Sequence, residues 1–390
     1  MKMPRKFKSV PVQVNKTLKR TALRQAGSGW KKQDFFGHGK TQVCHSATDA
    51  AKAYGLDWQV CLTHVRSVTT GLSAPSKNDH TSRDPRFDQI KFTDNRGVIR
   101  MDTLAPMGTV GTAYHTIQNV DAMAIFDELA KDRKLELFSG GWFLEGQQCY
   151  ATIKLPGKLE IAGEEITMYI VLTWSHDGTY VWSANFVPYL HGRKISLASL
   201  TKDNVKSKID IRHTKNANER IKLGGEVYVA ALKFFDSLSE TLKDMSSTTM
   251  TMKKFEEVLE FLYPEKGERE TKDGTRIRSG DEKKILGIKE VWNDITPSVR
   301  ETEFGAFIAM CEYSDHHSRT VQRRDKSTGE VRRSEEEVKL HSSLFGSGSK
   351  AKEKSMKTLL NFDSIKAKAD EARKRRDKTK LNSKKETTVL

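Results

Sequence analysis

Three segments between residues 142 and 187 leave this chain few ways to fold. In WFLEGQQCYATIKL, Cys149, Ala151, Ile153 and Leu155 fall on one face. In EITMYIVLTW, Ile166, Met168, Ile170, Leu172 and Trp174 do the same, while Tyr169 and Val171 add bulk opposite. In YVWSANFV, Tyr180, Trp182, Ala184 and Phe186 alternate with Val181, Ser183, Asn185 and Val187. A period of two carried by β-branched and aromatic residues is the signature of strands. The second and third segments are joined by SHDGT, and Asp-Gly between two such runs marks a hairpin. The chain therefore contains an antiparallel sheet.

A cover for that sheet follows. GEVYVAALKFFDSLSETLKDM sets Val227, Ala231, Phe234, Phe235, Leu238, Leu242 and Met245 along one helical stripe, and the common use of such a stripe is core. MKKFEEVLEFL is a second helix, stopped by Pro264. Upstream, TDAAKAYGLDWQV reads as a short helix from Thr48 leading into a strand at 58–65. Asn119 is read as the N-cap of a helix over VDAMAIFDELAKDRK, with Val120, Met123, Phe126 and Leu129 inward.

The expected fold class is α+β: an antiparallel sheet packed by helices, with a β-β-β-α core. The divisions are a basic arm (1–40), the α+β core (41–264), a charged linker (265–284), a C-terminal helical unit (285–349) and a basic disordered tail (350–390). Trp292, Phe304, Phe307, Met310 and Tyr313 are the expected core of the helical unit.

Charge separates the ends from the middle. Residues 1–40 carry 11 Lys/Arg and one acid, and residues 350–390 carry 14 against six. With a net charge of +16, the interior is left near neutral. Two basic ends imply a polyanionic partner, for which nucleic acid is the usual case, or else serve solubility alone. No apolar run approaches the ~18 residues of a membrane span. A signal-peptide core is also missing, and the four cysteines make no disulfide framework. A cytoplasmic protein with no membrane partner is expected.

The residues that suggest chemistry are few. His176, Asp177 and His213 form a candidate base with its partner, or a set of metal ligands for a nuclease or other hydrolase. No nucleophile turn and no phosphate-binding loop accompanies them, and a turn accounts for Ser175-His176-Asp177 locally. Cys44-His45 with Cys61-x-x-His64 offers four ligand types in poor tetrahedral spacing. Asp315-His316-His317 has the Asp-His-His form used by phosphoesterases, without the accompanying Asp motifs. Arg212, His213, Thr214 and Lys215, followed by Asn218, Arg220 and Lys222, put phosphate-binding donors where a strand passes into a helix. The same residues also read as a solvated helix start capped by Thr214 or Asn216.

Several blocks in order, DAAKAYGLDWQV, RMDT…MGTVGTAYHTIQN, SGGWFLEGQQCYATIKLPG, SHDGT, IRHTKNA and the late EYSDHH and LFGSGSKAKEKSMKTLL, resemble one family. It is the phage/plasmid-like family designated domain of unknown function nine-three-two, and the likeness covers roughly residues 40–362. Where that family carries a Cys-x-Asn-Thr segment after the hairpin, this chain has PYLHGRKISLA, with Arg193 at the cysteine position and Ile195 at the asparagine position. The resemblance implies a mobile-element origin and a bacterial cytoplasm, and names no activity.

By fold analogy, three antiparallel strands followed by a long helix are similar to the core of RecT, Redβ and Erf single-strand annealing proteins. That analogy implies a basic, homo-oligomeric ring or filament that holds single-stranded nucleic acid by its backbone. The expected contacts are Arg193, Lys194, Arg212, His213, Lys215 and Arg220. No catalytic residue, metal or cofactor is assigned. A non-enzymatic structural or host-interaction protein is the remaining alternative.

Overall fold

The computed structural model describes residues 40–64, 95–131, 133, 135–222, 224–264, 269–270, 276–277, 280–318, 335–368 and 371. In chain order, the first elements are β1 (Lys40–Cys44), α1 (Ala47–Tyr54), β2 (Val60–His64), β3 (Arg96–Arg100) and β4 (Pro106–Val110). Next come α2 (Asn119–Met123), α3 (Ile125–Ala130), β5 (Glu136–Phe143), β6 (Gln148–Ile161), β7 (Glu164–Ser175) and β8 (Trp182–Leu190). β9 (Ile195–Ser196), β10 (Lys208–Ile211), α4 (Ala217–Lys222), α5 (Gly224–Ser247) and α6 (Met252–Leu262) follow. The C-terminal part holds α7 (Gly280–Asn293), α8 (Pro297–Arg300), α9 (Glu303–Glu312), a π-turn over Tyr313–His317, α10 (Glu335–Phe345) and α11 (Ser347–Leu360).

The protein is α+β, as its periodicity implies. The main sheet runs β1-β5-β6-β7-β8-β10, with β9 paired to β8, and its pairings are antiparallel. Cys149 stands opposite Trp174, Ile153 opposite Ile170, and Leu172 opposite Ala184. Each inward residue therefore meets another inward residue, which fixes the register. A second sheet, β2-β3-β4, lies at the hairpin end.

One face of the main sheet carries Cys149, Ala151, Ile153, Ile170, Trp174 and Phe186, all in the large core. α5 lies over this face with Ala231, Phe234, Leu238 and Leu242 fully buried, so its stripe is core. The C-terminal helices do not build a separate core. Trp292, Phe304, Phe307 and Met310 belong to the same continuous cluster as Phe234 and Trp174.

The opposite face is also covered. Phe143, Tyr150, Tyr169, Val171, Val187 and Tyr189 are buried there with Leu340 of α10. Burial on both faces explains why aromatic bulk appears at both phases of the β7 alternation.

Three expectations need correction. Asn119 is not an N-cap: Gln118 holds that position without a side-chain bond, and the helix breaks at Ala124. Val120 faces solvent at 37% exposure, because Asn119 has turned the first turn inward instead. The C-terminal segment is not disordered from residue 350. α11 runs to Leu360, residues 362–368 are helical, and Met356, Leu359 and Phe362 are buried in the main core. Residues 1–39 and 372–390 lie outside the described residues. No helix among the described residues is long and apolar enough to cross a membrane.

Candidate functional site

The first five blocks that carry the family resemblance meet at the hairpin end of β7, while the two late ones meet beside β9. Ser175 closes the connection between β7 and β8: its Oγ donates to the Tyr180 carbonyl at 3.0 Å and accepts from the Tyr180 N–H at 2.9 Å. Asp177 Oδ1 accepts from the Thr179 N–H and hydroxyl at 2.9 and 2.6 Å, as an Asx-turn residue does. Gly178 holds φ +77°, where a side chain would be strained. Gly108 of β4 lies against this turn, and a Cβ there would stand 2.8 Å from Asp177 Cα. The connection spans six residues, longer than a two-residue Asp-Gly turn, and the Ser175–Tyr180 pair closes a four-residue loop within it.

His176 points away from Asp177, into the protein, and is fully buried. Its Nε2 lies 2.8 Å from Asn119 Oδ1, and Trp174 Nε1 donates to that same oxygen at 2.9 Å. An indole N–H only donates, so the shared atom must be the amide oxygen. His176 Nε2 therefore carries a proton and Nδ1 is an acceptor, buried without a partner. Asn119 Nδ2 donates to the Trp58 carbonyl at 3.1 Å, tying the small sheet's approach to the hairpin. Burial first, and then the His213 charge, hold the His176 pKa down to about 3, so the ring is neutral.

His213, at 8% exposure, stacks on Tyr114 with ring centroids 4.7 Å apart. Neither ring nitrogen has a hydrogen bond. Burial lowers its pKa to about 4, partly opposed by backbone groups of His115 and Tyr180. Tyr114 in turn donates to the Ser175 carbonyl at 3.2 Å. Beside them, the Arg100 guanidinium lies over Trp58 at 4.3 Å and over Trp142 at 5.6 Å, gripped by Asp102 at 2.7 and 2.9 Å. His176 and Asp177, adjacent in sequence, thus have separate partners. Cys44, His45 and Cys61 form no metal site either: among the described residues no three such groups are placed to hold a metal ion, and the His64 side chain lies outside them.

The six cations and histidines expected to meet nucleic acid divide into two sets. Arg193 is 17% exposed and paired with Glu312 at 2.7 Å and Glu164 at 3.7 Å, so it braces the sheet against α9. Lys194 takes φ +54° in the turn before β9. His213 is the buried stack just described. Arg212, Lys215 and Arg220 are exposed at the corner between β10 and α4, with no acidic partner among the described residues. β10 is an edge of the main sheet, and residues 202–222 hold seven Lys/Arg against three acids.

The Asp315-His316-His317 turn has a different role from a metal motif. Asp315 and Lys352 form a buried ion pair at 2.6 Å, with side chains 2% and 1% exposed. Asp315 also accepts from the Ser196 N–H at 3.2 Å and from Ser343 Oγ at 2.6 Å, while Lys352 Nζ donates to Ser196 Oγ at 2.6 Å. His316 Nε2 lies 3.1 Å from the Arg193 carbonyl. This network joins β9 to α10 and α11.

Sequence reasoning missed Asn119, Trp58, Tyr114, Arg100 and the partner of Asp315. Asn before an amphipathic run reads equally as a cap. For the others, the one available signal was that each stands within a block of the resemblance.

A family model described as a domain of unknown function (DUF932) matches residues 106–345, more than half of the chain. No curated protein and no solved structure matches it. The matched span includes Tyr114, Asn119, the hairpin turn, His213 and Asp315, and the chain belongs to this DUF932 family.

Proposed function

We propose that this protein binds single-stranded nucleic acid along the β10 edge and promotes strand annealing in the replication or recombination of a phage or plasmid. The observation that supports this most is the set Arg212, Lys215 and Arg220, exposed at the corner where β10 ends and α4 begins, with no acidic partner among the described residues. Cations left unpaired beside an edge attract phosphates and can follow an extended backbone. Lys206 and Lys222 lengthen the track, and the basic terminal segments add to the field. A cytoplasmic homo-oligomer assembled on the strand belongs to the same reading.

The test is gel-shift binding of the full chain to single- and double-stranded DNA at two salt concentrations, with annealing and cleavage scored in the same samples. Single strands are expected to bind preferentially, anneal faster and remain intact. Replacing Arg212, Lys215 and Arg220 with alanine should weaken binding and lower the slope of log K against log salt by about 2, at roughly 0.7 per phosphate. An unchanged slope overturns this assignment. A second reading, metal-dependent hydrolysis, draws on the unpartnered ring nitrogens of His176 and His213. Metal-dependent cleavage lost in His213→Ala would support it.

A further inference from the structure

A cleft of ≈ 250 Å3 lies between the sheet and the α10–α11 pair, and it begins where the basic edge begins. Its floor is Thr173 of β7 with Asn185 and Val187 of β8. Its roof is Leu344 of α10 and the start of α11. One wall is Ser207, just before β10, and Lys208, its first residue.

The chemistry inside is mixed. Asn185 Nδ2 donates to the Val171 carbonyl and to Thr173 Oγ1, both at 3.1 Å. That leaves Asn185 Oδ1 as an acceptor and the Thr173 hydroxyl hydrogen as a donor, neither with a partner among the described residues. The Ser207 hydroxyl also has no partner among the described residues. Val187 of the sheet and Leu344 of α10 add aliphatic lining, and Lys352 and Glu353 of α11 add charged lining. Of the lining cations, Lys208 pairs with Asp210 at 2.7 Å and Lys352 with Asp315 at 2.6 Å, so the groups left to a ligand are an amide oxygen and hydroxyls, which match the edge of a planar heterocycle rather than a phosphate. The cavity is smaller than the 300–1,000 Å3 typical of drug-sized ligands, so its occupant is a single small group.

Resting on the nucleic-acid reading above, we infer that this cleft takes one nucleobase of the strand held along β10. The base lies between Val187 and Leu344, its edge meets Asn185, Thr173 and Ser207, and its phosphates pass out over Lys208 toward Arg212. The buried Asp315–Lys352 pair fixes α11, and so the roof, against β9.

The experiment compares binding of the full chain to a single-stranded oligonucleotide and to an abasic strand of equal length, at one salt concentration. The base-bearing strand should bind at least about tenfold more tightly. Filling the cleft with Ser207→Leu, or from the opposite side with Leu344→Trp, should remove that advantage while leaving abasic binding and the salt slope unchanged. Two substitutions on separate elements guard against one that fails to fold, and thermal melts identify it. Equal affinity for the two strands, or filled variants that keep the advantage, overturns the inference and leaves the β10 track standing. If neither strand binds the parent protein, the nucleic-acid reading falls and takes the inference with it. A nucleoside monophosphate that binds by calorimetry while strands show no base dependence overturns the inference too, and assigns the cleft to a free nucleotide.

Discussion

At the hairpin end of β7 polar groups are buried neutral, whereas beside β9 they are buried as charges. Asn119, Trp174 and His176 share one amide oxygen and carry no net charge. Asp315 and Lys352 are equally buried, but each depends on the other and on Ser196 and Ser343. The neutral cluster costs little to desolvate and loses about one hydrogen bond at a time. The charged cluster is expensive to desolvate, gains little net stability over an apolar replacement, and is strongly disturbed when one partner goes. The first suits a rigid corner. The second suits a joint that must be assembled correctly or not at all.

The largest expected effect comes from breaking the charged cluster on one side. Lys352→Met leaves Asp315 buried and unpaired and should cost about 4 kcal/mol in denaturant unfolding. Asp315→Asn combined with Lys352→Met should recover most of that loss. A single substitution costing less than about 1 kcal/mol, or a double no better than the single, would show that the pair is not the joint described.

Acid provides the second test, and it bears on the neutral cluster. His176 and His213 have folded pKa values of about 3 and about 4 against an ordinary 6.5. A base whose pKa falls on folding binds fewer protons when folded, so its stabilisation is complete above 6.5. It is lost as pH falls from there toward the folded values. Near pH 5 each ring costs about 2 kcal/mol. His317, also lowered to about 4 by burial, adds to the same window. Stability measured by unfolding from pH 7 to 4 should fall steadily, and His176→Gln should flatten the curve by about one proton. An unchanged slope in that variant would contradict a neutral His176.

The smallest effect compares like with like. Ser343→Ala removes a hydroxyl bonded to a carboxylate and should cost about 2 kcal/mol; Ser175→Ala removes one bonded to backbone and should cost about 1 kcal/mol. Equal losses would blur the distinction between the two regions.

Much of the fold was legible because alternation is local. Ile170, Leu172 and Trp174 announce one face within five residues, and Tyr169 and Val171 already point to a second covered face. The buried cation was not legible. Lys352 sits in GSGSKAKEKSMKTLL, whose charge suggests solvent, and its partner lies 37 residues away in sequence. Met356, Leu359 and Phe362 at helical spacing were the available sign that this stretch is anchored. Asn119 was misread because capping chemistry and an amide in a core look identical until the strand behind it is known. Arg212, Lys215 and Arg220 were legible as exposed cations, but Arg193 was not legible as a brace, since Glu312 reaches it from a distant helix.

The covering of the aromatic face by α10 has a consequence for the order of synthesis. Tyr150, Tyr169 and Tyr189 leave the ribosome long before Leu340 and Lys352. At roughly 5–20 residues per second, the sheet exists for about 10–30 seconds before its last cover emerges. During that interval a strip of tyrosines faces the cell, and every nascent chain on one message presents the same strip to its neighbours.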